Sequence, residues 1–156
     1  GPYVDTTGRN DIVAAKVARD AENLYFYVRA RQPLTPRTDP EWMLLFIDAD
    51  GSARTGWEGF DFVVNRVPPG TRTSTLDRSR GRRWEWEKVG EVSYRVSGNE
   101  MELAIPRRLL GLQKGRKVDI RFKWADNCQL TGDPIVFTEH GDAAPNGRFA
   151  YRFYEK

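Results

Sequence analysis

Short apolar runs separated by polar, turn-rich segments repeat along the chain, and within most runs the alternation has a period of two. Residues 24–30 read LYFYVRA, rich in the aromatic and β-branched side chains that suit a pleated surface. With residues 12–19, across the Arg-Asp-Ala-Glu-Asn cluster, they predict a hairpin. Pro33, Pro36 and Pro40 cannot donate to a ladder, so 32–40 is a loop. Residues 42–47, WMLLFI, are apolar at every position. That predicts a central strand covered on both faces. A loop over 51–59 precedes a strand over 60–67, whose alternation puts Phe60, Phe62 and Val64 on one face and Asp61, Val63 and Asn65 on the other. Pro68, Pro69 and Gly70 end it.

The polar, arginine-rich segment 71–83 reads as a loop. Residues 84–89, 92–97 and 101–105 predict a meander with turns at Gly90-Glu91 and Gly98-Asn99-Glu100. Pro106, followed by Arg107, Arg108, Leu109, Leu110 and the stop residue Gly111, predicts one helical turn. Strands follow at 118–125 and 148–154, and 126–146 is mostly loop around a short PIVF strand. Many short strands and almost no helix predict an all-β fold, an antiparallel β-sandwich of jelly-roll type with one short helical turn.

With 156 residues the chain is expected to form a single domain. Gly1 and Pro2 resemble the scar of a cleaved tag, leaving 3–156 as one module expected to belong to a larger protein. No apolar run approaches the ~20 residues of a membrane-spanning helix, so no membrane insertion is expected. Lys and Arg number 25 against 22 Asp and Glu, a net charge of +3 that does not call for nucleic acid. The single cysteine, Cys128, excludes an intrachain disulfide, and the single histidine, His140, excludes a site built on two histidines. Nucleophile elbows, phosphate-binding loops and HExxH motifs are missing, and the paired glutamates at 85 and 87 or 100 and 102 are what any solvated sheet face shows. A non-catalytic protein is expected. What stands out is an aromatic content of 12%, with five tryptophans.

Four segments, LYFYVRARQPLTP, WMLLFIDADGSARTGWEGFDFVVNR, ELAIPRRLLGL, and FKWADN followed by GDAAPNGRFAYRF, form an ordered series. Through that series the chain resembles carbohydrate-binding modules of family 9 and the related DOMON-like β-sandwich domains, over most of its length. The resemblance implies a non-catalytic accessory module of a secreted bacterial polysaccharide-acting protein, with polysaccharide as partner and calcium stabilising its loops. It also implies two sugar-gripping tryptophans, whose places fall near Thr38 and His140 here, and polar contacts that Leu44 and Leu45 replace. Those departures define an alternative: a structural module of the same fold that packs against other domains of its parent chain.

Candidate chemistry follows from the residues themselves. Asp48, Asp50 and Asp61 flank a glycine-bearing loop, and closely spaced carboxylates of this kind supply the oxygen ligands calcium takes. The spacing is not that of an EF-hand, and Asp-Gly and Thr-Gly are also ordinary turn chemistry. Asp126, Glu139 and Asp142 form a second possible cluster. Sugars stack their C–H faces on exposed aromatic rings. Trp57 lies in a loop, and Trp84 and Trp86, two apart on a predicted strand, share a face; these three are the candidate carbohydrate-binding residues. Trp42 and Trp124 belong to the core. The arginines from Arg72 to Arg83 read as a solvated loop, with an acidic polysaccharide as a subordinate idea. Haem, which would need His140 with Met43 or Met101, is not expected.

Overall fold

A computed structural model describes residues 9–128, 141–146 and 149–156. Among the described residues lie ten strands: β1 (Ile12–Arg19), β2 (Asn23–Ala30), β3 (Leu44–Asp48), β4 (Phe62–Val64), β5 (Thr73–Ser79), β6 (Trp86–Ser97), β7 (Glu100–Pro106), β8 (Asp119–Asp126), β9 (Asp142–Ala144) and β10 (Tyr151–Tyr154). A 3-10 turn, Arg107–Leu110, follows β7. All ladders are antiparallel, in the order β1-β2-β7-β6-β5-β4-β3-β8-β10, with β9 also on β8. The sheet coils into a nearly closed, barrel-like sandwich. Its inner faces meet: Phe26 of β2 packs edge-on against Phe122 of β8, ring centroids 5.5 Å apart.

The apolar run at 42–47 is explained by two cores. Leu45 and Ile47 point inward with Leu24, Phe26, Leu76, Leu103, Ile120 and Trp124. Leu44 and Phe46 point outward into a second cluster with Trp57, Phe60, Val63, Ala125 and Cys128. A strand buried on both faces can dispense with polar alternation, and β3 does so from Leu44 to Ile47, with only its last residue, Asp48, polar. Met43, just before it, has φ 46°, and Asn65 caps the neighbouring turn by donating to the Met43 carbonyl at 2.7 Å.

Several expectations are corrected. Segment 71–83 is not all loop, since β5 pairs with both β4 and β6. Its inward positions are disguised because one of them is Ser74, buried and hydrogen-bonded to Asn65 at 2.6 Å. The two strands expected at 84–89 and 92–97 are one, β6, and Gly90 lies inside it beside a bulge opposite Leu76 and Asp77. A Cβ at 90 would fall 2.7 Å from Leu109 Cδ1, so the leucine side chain would have to shift to admit one. Only Phe62–Val64 of the 60–67 run is strand. Phe60, bridged to Trp57, turns to the outer cluster beside Val63, opposite Phe62. The helical turn stops at Gly111, φ 71°, as expected. The PIVF segment, Glu139 and His140 lie outside the described residues, as do Gly1 and Pro2. Among the described residues no helix is long and apolar enough to cross a membrane.

Candidate functional site

One end of the barrel gathers the end of β3, the start of β4, the end of β5, the start of β6 and the 3-10 turn. Between them opens a cleft of about 550 Å³, within the range of small-molecule sites. Ala49, Phe62 and Leu110 give it an apolar floor. Asp50, Thr55 and Arg54 from loop 49–61, Asp61, and Arg78, Ser79 and Arg82 from the β5–β6 hairpin form its polar walls.

The carboxylates of Asp48, Asp50 and Asp61 converge here, with one oxygen from each within 4.8 Å of the others. The loop folds inward on them. Gly51 N–H donates to Asp48 Oδ1 at 2.9 Å, Ala49 N–H to Asp61 Oδ2 at 2.9 Å, and the Thr55 hydroxyl to Asp50 Oδ2 at 2.6 Å. Burial pushes the Asp48 carboxyl up to about 6, the Gly51 N–H opposing and the neighbouring acids adding to the rise. Burial also raises Asp61. Partial burial pushes Asp50 the same way, but hydrogen bonds from Thr55 and Ser52 outweigh it and leave its carboxyl below the usual range. Three crowded hard-oxygen donors, two of them resisting ionisation, suit a divalent cation chemically. Arg121 Nη1, 3.7 Å from Asp48 Oδ2, supplies part of the compensating charge.

The tryptophans divide differently from the expectation. Trp57 is 1% exposed; its loop folds it over the outer face of β3, its ring centroid 5.4 Å from Phe46. In this conformation it offers no face to a sugar. Gly56, at φ +75°, makes that fold possible, since a Cβ there would meet the Phe60 carbonyl oxygen at 2.1 Å. Trp84 precedes β6 rather than lying in it, and it packs edge-on against Trp57 at 4.6 Å and Trp86 at 5.3 Å. Both Trp84 and Trp86 are half-buried, capping the outer cluster with part of each ring in solvent. Trp42 and Trp124 are in the inner core. The β5–β6 hairpin thus presents Arg78 and Arg82 to the cleft and Trp84 and Trp86 to the adjoining outer face.

Asp126 and Asp142, expected as a second cluster, do structural work. Asp126 is fully buried and accepts from Met43 N–H at 2.9 Å and Asn10 Nδ2 at 3.1 Å, with Arg9 Nε 3.2 Å away. Asp142 accepts from Ile12 N–H at 2.6 Å, tying β9 to the start of β1. Met43 and Met101 are core residues. Cys128 is buried, and burial pushes its thiol up to about 12, so it is a poor nucleophile. No protein-family model, curated protein or solved structure matches the chain. Function is read from this geometry. Of the cleft arginines, Arg54 drew no reading from the sequence, and Arg78 and Arg82 read as part of a solvated loop; β5 aims Arg78, while loop 49–61 and the hairpin tip carry Arg54 and Arg82.

Proposed function

We propose that this domain is a non-catalytic carbohydrate-binding module, an accessory part of a secreted polysaccharide-acting protein. The observation that carries the reading is the β5–β6 hairpin, which sets planar polar side chains around an apolar-floored cleft and half-exposed indoles beside it. Sugars present that same combination: hydroxyls for hydrogen bonding, and C–H faces for stacking. Asp48, Asp50 and Asp61 would hold calcium, which would neutralise the crowded carboxylates and stiffen loop 49–61. Calorimetry against a panel of plant and algal polysaccharides in calcium tests the proposal. Binding is expected, with a shift in tryptophan fluorescence that Trp84→Ala and Trp86→Ala abolish. Calcium is expected to raise the melting midpoint of the protein and to lose that effect in Asp50→Asn.

A second reading, a module that packs against neighbouring domains, is favoured by one feature: Phe149, Tyr151 and Tyr154 are 76%, 41% and 50% exposed on and beside β10. The exposed aliphatics Val13, Val67 and Val96 lie on separate elements. Absence of binding to every glycan in calcium would overturn the first reading and leave the second.

A further inference from the structure

Resting on the reading of the mouth cleft as a glycan site, we propose that the sugar unit it selects is anionic, its carboxylate or sulfate group held between Arg54 and Arg82 with Arg78 beside them. Arg54 comes from loop 49–61, Arg78 from β5 and Arg82 from the hairpin tip, and all three line one cavity. Arg78 is engaged by Glu87, Nη2 to Oε1 at 2.7 Å. The guanidinium groups of Arg54 and Arg82 are exposed, and no hydrogen bond or ion pair holds either of them among the described residues.

Three of the four carboxylate oxygens of Asp50 and Asp61 already accept from the loop. Asp50 Oδ1 accepts from Ser52 N–H and Oδ2 from the Thr55 hydroxyl, at 2.9 and 2.6 Å. Asp61 Oδ2 accepts from Ala49 N–H at 2.9 Å and from Asp50 N–H at 3.4 Å. The spare hydrogen-bonding capacity facing a ligand is therefore weighted toward donors. A guanidinium presents parallel N–H donors that match carboxylate and sulfate oxygens in pairs, whereas a neutral sugar offers hydroxyls that both donate and accept. Arg80 and Arg83, also exposed, extend the positive field along the hairpin. The floor of Ala49, Phe62 and Leu110 suits the C–H face of a sugar ring. Asp50 and Asp61 in the cleft, with Glu87 paired to Arg78, oppose the denser charge of a nucleic-acid backbone.

The probes are oligogalacturonate, its carboxyl-reduced neutral counterpart, a sulfated galactan oligomer, xylo-oligosaccharide and a single-stranded oligonucleotide, each titrated calorimetrically against the whole chain. The variants are Arg54→Ala with Arg82→Ala, and, as a charge control, Arg29→Ala on the end of β2 remote from the cleft. An unchanged melting midpoint establishes that these exposed substitutions leave the fold intact. Expected is at least tenfold tighter binding of one charged oligomer than of the neutral one, lost at least tenfold in the double variant and kept in Arg29→Ala; the uronate and sulfate arms name the anion. Equal binding of the carboxyl-reduced and charged oligomers, or full affinity in the double variant, would overturn the anionic assignment while leaving a neutral-glycan module standing. Failure of every glycan would overturn both readings, and tighter binding of the oligonucleotide would replace the sugar with nucleic acid.

Discussion

Gly56 and Gly98 carry the same conformational demand in different surroundings. Both have positive φ, +75° and +59°, but a Cβ at 56 would meet the Phe60 carbonyl oxygen at 2.1 Å, while one at 98 meets nothing within 4 Å. Gly98→Ala should cost about 1 kcal/mol, the ordinary penalty of a left-handed residue. Gly56→Ala should cost at least ~3 kcal/mol, because backbone must move and Trp57 loses its seat. Urea denaturation of the two variants measures the difference. Trp57 shows where residue-level reading stops. Flanked by glycine and glutamate it reads as a loop residue, and only the apolar outer face of β3 accounts for its burial.

At the scale of elements, β8 holds a charge that its strand pattern conceals. Lys123 is fully buried on the outer face and donates to the carbonyl oxygens of Pro145 and Phe149, the latter at 2.9 Å, tying both residues to β8. Burial pulls its ammonium down to about 8 from an ordinary 10.5. The folded state therefore releases this proton more readily than the unfolded chain, so stability is lowest while the amine is charged in both states, below pH 8. It rises between about pH 8 and 10.5. The raised Cys128 thiol works in the opposite sense above pH 9, its ordinary value, because the unfolded thiol ionises first. In a Cys128→Ala background, denaturant titrations should show stability rising by about 2–3 kcal/mol across that window. The rise should vanish in Lys123→Met. Hairpin 12–30 and the turn that stops at Gly111 were legible because local rules decide them, apolar alternation and a left-handed glycine, though Pro106 ends β7 just before the turn rather than opening it. Strand β5 was not, since its inward serine and its arginines become strand residues only when β4 and β6 pair with them on either side.

For the whole molecule, closure of the barrel depends on polar ties between sheet edges rather than on a continuous ladder. Asp142 binds Ile12 N–H, Arg9 and Asn10 reach Asp126, and Arg19 pairs with Glu155 beyond β10. These ties differ in weight because burial differs. Asp126→Ala would leave the buried Met43 N–H without its acceptor and remove the buried carboxylate that Arg9 and Asn10 reach, and should destabilise by about 3–5 kcal/mol. Glu155→Gln weakens a pair whose arginine is largely in solvent, while the new amide oxygen can still accept from Val118 N–H, and should shift the denaturation midpoint little. Chemical denaturation of both variants checks the contrast.

The all-β class, the doubly buried central strand, most strand positions and the convergence of Asp48, Asp50 and Asp61 were determined by sequence alone, because each rests on alternation, turn chemistry or short-range spacing. The burial of Trp57, the continuity of β6 through Gly90 and the turning of Arg54, Arg78 and Arg82 toward one cleft were decided only by tertiary structure. Those outcomes depend on which surfaces meet when the sheet coils, and a side chain's neighbours across a barrel are set by register and closure rather than by its place in the chain.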